Sequence, residues 1–277
     1  MKLIDRFIYS HRKLFPNFFT NTLSKFYLIF HKFKNSIIYG NSDMFDYITI
    51  ELDRICNRAC SYCPKSAYDD SDGAVFFNKK NFERIMKQLQ VINYGGSILF
   101  SGYCEPLMNK NIKQYLSIAR KELPKIKLVV YTNGDFLDKE FMKFFKINNI
   151  ILIISIHNPN SAENINRIKK IVGNYKNAII KYDIENHYLS TRGNLVNVKK
   201  KASKIICIRP FCELTIDYKG NVILCNNDFF SKKVFGNLSN NKLMEIWNNK
   251  KFKETRKNLT KELPNNDLCN YCKSNTI

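Results

Sequence analysis

A chain of 277 residues with 44% hydrophobic content can bury an α/β core and still carry one small appended module, which excludes a disordered chain. Its longest apolar runs, such as Phe26 to Phe30 and Ile150 to Ile154, are far too short to cross a bilayer, and Met1 to Thr20 is broken by Asp5, Arg6, His11, Arg12 and Lys13. The sequence therefore predicts neither a transmembrane span nor a secretory signal, and a cytoplasmic protein. The formal charge of +21 raises nucleic-acid binding, but only 10 of the 45 basic residues are Arg and they are scattered from Arg6 to Arg256. Phosphate-binding surfaces favour clustered Arg forks, so nucleic acid is disfavoured as a partner.

Residues 1–45 differ from the rest, holding 11 of the 37 aromatic residues and seven basic against two acidic side chains. Leu23, Phe26, Tyr27, Phe30, Phe33 and Ile37 repeat at helical spacing, with Lys25 and Lys32 off that stripe, so an amphipathic helical extension is expected. The helix either packs on the outside of the domain or lies on an anionic membrane with its aromatics down, which would place the protein peripherally at a membrane.

From residue 46 apolar runs alternate with helical patterns, the signature of successive βαβ units. Strands are expected at Tyr47 to Leu52, Ser97 to Phe100, Lys127 to Tyr131, Ile150 to Ile156 and Ala178 to Tyr182. Helices are expected at Asn81 to Val91, Asn111 to Glu122, Lys139 to Asn148 and Ala162 to Val172. The fold class is thus α/β, a partial (β/α) barrel of about five or six parallel strands over residues 46–200. The loops Cys56 to Cys63, Ser101 to Glu105, Thr132 to Gly134 and His157 to Asn160 each follow a strand, so they should meet at one mouth. Residues 201–277 read as a separate module, with a β-hairpin from Phe211 to Leu224 turning at Asp217 to Gly220, then helices at Lys242 to Asn249 and Lys251 to Leu259.

Nine cysteines in a reducing compartment point to metal or redox chemistry rather than disulfides. Cys56-x3-Cys60-x2-Cys63 sets three thiols in one loop, enough for three corners of a cubic [4Fe-4S] cluster whose fourth iron stays open. A zinc site would want a fourth close Cys or His, and the loop has none. This segment, with Tyr62 just before the last Cys, resembles the radical S-adenosylmethionine (SAM) superfamily. The resemblance implies that SAM binds the open iron and is cleaved to a 5′-deoxyadenosyl radical. It also implies SAM contacts from Tyr62, from Gly102 and Glu105 in Ser101-Gly102-Tyr103-Cys104-Glu105-Pro106-Leu107, from Asn133 in Tyr131-Thr132-Asn133-Gly134, and from Ser155. A carboxylate at 105 suits the SAM ammonium, whereas Cys104 stands where the family usually has Gly and is expected to pack inertly.

Cys207, Cys225, Cys269 and Cys272, with Gly236-Asn237-Leu238 and Glu245-Ile246-Trp247-Asn248 between them, resemble the twitch module, a short SPASM extension, which implies a second [4Fe-4S] cluster. Cys212 could replace Cys207, and the same four thiols also fit a zinc ribbon of a nucleic-acid-binding protein. From about residue 46, including Tyr131 to Leu137 and Thr191-Arg192-Gly193-Asn194, the chain resembles dehydrogenases of this superfamily that oxidise an amino-cyclitol hydroxyl. The resemblance implies hydrogen abstraction from a hydroxyl-bearing carbon of a sugar or cyclitol, free or nucleotide- or lipid-linked. Arg192 would bind the hydroxyl oxygen, His157 would accept the proton, and flavodoxin or ferredoxin would donate the electron. A maturase of ribosomal peptides is the rival enzyme, disfavoured because residues 1–45 are short and aromatic for a peptide-recognition domain.

Overall fold

The computed structural model describes residues 17–68, 77–157, 161–182, 191–197, 206–261, 267–270 and 272. The five expected apolar runs form parallel strands: β1 (Tyr47–Ile50), β2 (Ser97–Phe100), β3 (Lys127–Thr132), β4 (Ile151–Ser155) and β5 (Ala178–Lys181). A long helix, α1 (Asn17–Tyr39), precedes them, and α2 (Lys79–Val91), α3 (Ile112–Glu122), α4 (Lys139–Ile147) and α5 (Ala162–Val172) alternate with them. Short polar side chains start three of these helices. Asn78, Asp138 and Ser161 each accept a hydrogen bond from a backbone N–H of the first turn, worth about 1 kcal/mol apiece.

The C-terminal part contains α6 (Arg209–Cys212), β6 (Glu213–Ile216), β7 (Asn221–Ile223), β8 (Val234–Asn237), α7 (Leu243–Asn248), α8 (Lys250–Lys261) and α9 (Asp267–Asn270). All eight strands belong to one sheet in the order β5-β4-β3-β2-β1-β6-β7-β8. β6 lies parallel to β1, with Thr49 opposite Thr215, and Thr49 Oγ1 donates to Glu213 Oε1 at 2.5 Å. The hairpin strand is thus also a sixth parallel strand beside the barrel, and β7 and β8 continue it antiparallel.

Two details depart from the expected pattern. The strand expected from Phe211 begins at Glu213, because Pro210 sits in the first turn of α6, where its missing N–H costs nothing. β8 was not expected. Gly236 lets that strand lie against α7, since a Cβ there would fall 2.8 Å from Ile246 Cγ1.

The apolar core lies between the sheet and its helices, with Ile48, Ile98, Leu128, Leu152 and Leu214 fully buried. α1 meets the domain the other way round. Its buried residues are Ser24, Leu28, His31 and Asn35, while Phe26, Phe30, Phe33 and Ile37 of the expected stripe face outward. The helix packs on the outside of the domain, through the side opposite its aromatic stripe. Asn35 Nδ2 donates to the Met44 carbonyl at 2.6 Å and His31 Nε2 lies 3.3 Å from Asp46, so buried polar contacts fix the helix.

Candidate active site

Parallel strands bring their C-terminal ends to one side, and the expected loops do meet there. The loop after β1 is held by carboxylates. Asp53 accepts from Ile55 N at 2.9 Å and from Asn109 Nδ2 at 2.5 Å, and Glu105 N donates to the Ile55 carbonyl at 2.8 Å. Asp135, after β3, accepts from Asn57 Nδ2 and from both Nε and Nη2 of Arg58 at 2.6–2.7 Å. Although burial opposes it, these bonds from Arg58 and Asn57 hold the Asp135 carboxyl below its ordinary range. Cys63 N donates to the Cys60 carbonyl at 2.9 Å, and Pro64 then starts a short 3-10 turn.

Cys56, Cys60 and Cys63 are all partly accessible. Burial and then the neighbouring Glu105 charge and the other two thiols push the Cys56 thiol up, so the three stand within electrostatic reach of one another. Burial also raises Cys104, beside Glu51, Asp53 and Glu105.

Glu105 is 2% exposed and its carboxylate is largely engaged. Oε1 accepts from Leu107 N at 3.0 Å and from Thr132 Oγ1 at 2.7 Å, and Oε2 from Asn133 N at 2.7 Å. Three of about four acceptor positions are filled, which leaves room for one further donor on Oε2. Desolvation outweighs these bonds and raises the Glu105 carboxyl. Asn133 donates through Nδ2 to Asn57 Oδ1 at 2.9 Å, and its own Oδ1 accepts from Asp135 N. Glu105 and Asn133 thus tie the loops after β1, β2 and β3 together.

Gly102 has φ +149°, and a Cβ on it would fall 2.7 Å from Cγ and 2.8 Å from Oε1 of Glu51. Glu51 accepts from Tyr103 N at 2.7 Å and lies 3.3 Å from Arg54 Nε. Its burial pushes the carboxyl up to about 7 against the pull of Arg54. The Arg54 guanidinium sits 4.6 Å from both the Tyr218 and Phe229 ring centres and donates to the Phe229 carbonyl at 2.5 Å. Neither Glu51 nor Arg54 was singled out in the sequence, where the available signal was the charged run Glu51-Leu52-Asp53-Arg54 at the end of a buried strand.

Tyr62 and His157 stack with ring centres 5.8 Å apart, and the Tyr62 hydroxyl is hydrogen-bonded to His157 Nδ1. Burial, then the Arg58 charge, lowers the His157 pKa and favours the neutral ring. Ser155, at the end of β4, pairs in register with Lys181 of β5. Arg192 has a positive φ of 48°, its guanidinium 5.7 Å from the ring of Tyr103 in the loop after β2 and Nη1 3.4 Å from Asn227 Oδ1. Tyr103 donates its hydroxyl to the Asn226 carbonyl at 2.6 Å, next to Cys225. The residue was quoted only as part of its loop, and it joins that loop to the C-terminal thiols.

The second thiol group gathers around Arg209. Its charge is felt by Cys225, whose thiol burial pushes up, with Cys207 and Cys272 also in electrostatic reach. Cys272 N donates to the Cys269 carbonyl at 3.1 Å, and Asn227 Nδ2 lies 3.5 Å from Cys272 Sγ. Cys212 is fully buried, and its carbonyl accepts from Asp46 N. Among the described residues no three Cys, His, Asp or Glu side chains converge tightly enough for one metal ion.

A sheet of this topology, with a three-thiol loop after its first strand and a second thiol group beyond its last crossover, defines an iron-sulfur enzyme of the partial-barrel kind. Residues 50–184 match the radical SAM superfamily and residues 207–273 match SPASM, an iron-sulfur cluster-binding domain. The two matches together make this a radical SAM enzyme, with SAM and iron-sulfur clusters as its cofactors. It is 29% identical over 238 residues to the S-adenosyl-L-methionine-dependent 2-deoxy-scyllo-inosamine dehydrogenase of Niallia circulans, spanning 84% of this chain and 95% of that one. The crystal structure of BtrN in complex with AdoMet and 2-DOIA matches at 27% identity over the same shares, with a TM-score of 0.77. BtrN in an open conformation gives 0.64 at 27% identity, over 84% of this chain and 94% of that one. AdoMet-bound anSMEcpe shares the fold at 16% identity, with a TM-score of 0.59 over 78% of this chain and 80% of that one. No described helix is long and apolar enough to cross a membrane.

Proposed function

We propose that this enzyme dehydrogenates a hydroxyl-bearing carbon of a sugar or cyclitol. The observation that carries this is the match to an amino-cyclitol dehydrogenase along 84% of this chain and 95% of that one, through both the barrel and the thiol module. In this reading Cys56, Cys60 and Cys63 hold the cluster that meets SAM, and Cys207, Cys225, Cys269 and Cys272 hold the auxiliary one. Cys207 stands within electrostatic reach of Cys225 and Arg209, which supports its place in that set. With both clusters and SAM bound, they supply a 5′-deoxyadenosyl radical and an acceptor for the electron left on the substrate. The barrel would span residues 46–200 and the cluster module 201–277, with Arg54 between the rings of Tyr218 and Phe229 joining them.

The protein groups bind and orient. Glu105 has one acceptor position left for the SAM ammonium, Gly102 and Asn133 shape the adjoining loops, and Tyr62 and Ser155 flank the remainder of the cofactor. Arg192, held over Tyr103, binds the hydroxyl oxygen and stabilises negative charge there, since a guanidinium with pKa above about 12 is no base. His157 takes the proton. Its half-buried, neutral ring suits that role in one tautomer: Nδ1–H donates to the Tyr62 oxygen and Nε2 is left as acceptor. If Tyr62 donates instead, Nε2 keeps its hydrogen and cannot act.

The polyol is taken free or as a nucleotide- or lipid-linked form, and flavodoxin or ferredoxin supplies the reducing electron. With a polyol deuterated at the reacting carbon, the label should appear in 5′-deoxyadenosine and the product should be a ketone. Label transfer only from a peptide would support a peptide maturase, and a redox-neutral product would refute dehydrogenation.

A further inference from the structure

The outward face of α1 is apolar and its inward face is polar, the reverse of an ordinary surface helix. Phe26 (65% exposed), Ile29 (65%), Phe30 (52%), Phe33 (64%) and Ile37 (69%) form one stripe, because offsets of 3, 4, 7 and 11 residues return to the same side of a helix. Ser24, Leu28, His31 and Asn35 occupy the opposite, buried side. The bonds from Asn35 and His31 fix which side faces in, so the stripe cannot turn to the core without breaking them. A contiguous apolar face of this kind marks a surface built for contact.

Charge decides between occupants. The helix Asn17–Tyr39 contains no acidic residue, and exposed Lys25 and Lys32 run along one flank of the stripe. Asp43, 3.9 Å from Lys32, is the nearby counter-charge, but both side chains are open to solvent and screen each other weakly. A second copy of a chain carrying +21 would meet these lysines with like charge, whereas an anionic surface reverses the sign. The helix is too polar to span a bilayer, which leaves the interface.

We propose that α1 docks this protein on an anionic lipid bilayer, with Phe26, Ile29, Phe30, Phe33 and Ile37 in the acyl boundary and Lys25 and Lys32 among the headgroups. The proposal rests on the helix alone and does not depend on the dehydrogenase reading.

The test is co-sedimentation of the full reconstituted chain with phosphatidylcholine vesicles, with and without phosphatidylglycerol, at low and high salt. Binding should require phosphatidylglycerol and weaken with salt. The variant Phe26→Ser/Phe30→Ser/Phe33→Ser touches only exposed side chains, so it should leave 5′-deoxyadenosine formation in solution unchanged. It should lower partitioning by about tenfold per phenylalanine inserted. Absence of binding by the parent, or equal binding by the variant, overturns the proposal. So does a parent dimer that the variant converts to monomer without any dependence on vesicles, because the face would then belong to a second copy.

Discussion

Replacing Gly102 by Ala tests whether the loop after β2 is shaped by contact with Glu51. The backbone sits at φ +149°, where an L side chain costs about 1–3 kcal/mol. The new Cβ would meet Glu51 at 2.7 Å from Cγ, 2.8 Å from Oε1 and 2.9 Å from Cβ, so the buried carboxylate must move. Moving it strains the 2.7 Å bond from Tyr103 N and the contact with Arg54, and a buried polar group left short costs about 1–3 kcal/mol. The expected destabilisation is therefore about 2–5 kcal/mol. At about 2–4 °C per kcal/mol for a chain of this size, thermal unfolding of the reconstituted protein should fall by at least about 4 °C. The cause is isolated by repeating the substitution in a Glu51→Ala background. Removing the carboxylate strips Arg54 of its partner and is costly by itself, so only the coupling between the two changes is read. That coupling should be about 1–3 kcal/mol, with the second substitution cheaper once the first is made. Equal cost in both backgrounds would refute the steric argument, and a cost under about 1 kcal/mol in the parent would refute the backbone argument as well.

The triple variant Cys56→Ala/Cys60→Ala/Cys63→Ala should lose reductive SAM cleavage yet keep about half the iron of the reconstituted parent. Retained cleavage would remove the first-loop assignment, and loss of all iron would remove the C-terminal one. His157 carries a pH signature, because its folded pKa lies below the unfolded value of about 6.5. Below about pH 6.5 the unfolded chain takes up a proton that the folded one refuses, so stability falls with pH until the folded value is passed. The variant His157→Phe, which keeps a ring against Tyr62, should lack that part of the slope in urea unfolding between about pH 7.5 and 5.5. An unchanged slope would show that the ring is not held neutral.

The barrel strands were legible because they read as short unbroken apolar runs between helical patterns, as in Ile151–Ser155, although their burial alternates. Helix starts were less so. The periodicity placed α2 from Asn81, but capping by Asn78 starts it at Lys79. The position of β6 was not legible at all. Its local pattern says hairpin, which is correct for β7, but its other edge pairs with β1, and the bond from Thr49 to Glu213 joins residues 164 apart. Nothing within a sequence window carries such a pairing.

The site divides in the same way. Cys56, Cys60 and Cys63 could be put forward as cluster ligands from the sequence because the spacing within one loop is itself the chemical requirement. Glu51, Arg54 and Tyr103 were not, because their meaning lies in partners from other elements: Tyr103 N for Glu51, Phe229 for Arg54, the Asn226 carbonyl for Tyr103. For α1 the limit is sharper. Periodicity located the aromatic stripe correctly and left open what it faces, since a stripe specifies an angle around the helix and not a neighbour. Asp46, immediately before β1, settles this by drawing both His31 and Lys34 toward the sheet, and those bonds hold its carboxyl low against the cost of burial. Turning the helix over would bury five large apolar side chains but strand that carboxylate, together with the Met44 carbonyl that Asn35 serves. A carboxylate stripped of both partners in a largely buried place costs several kcal/mol, which would offset part of what those apolar side chains return. Among the described residues those polar bonds hold the stripe outward, with Phe26, Ile29, Phe30, Phe33 and Ile37 open to solvent.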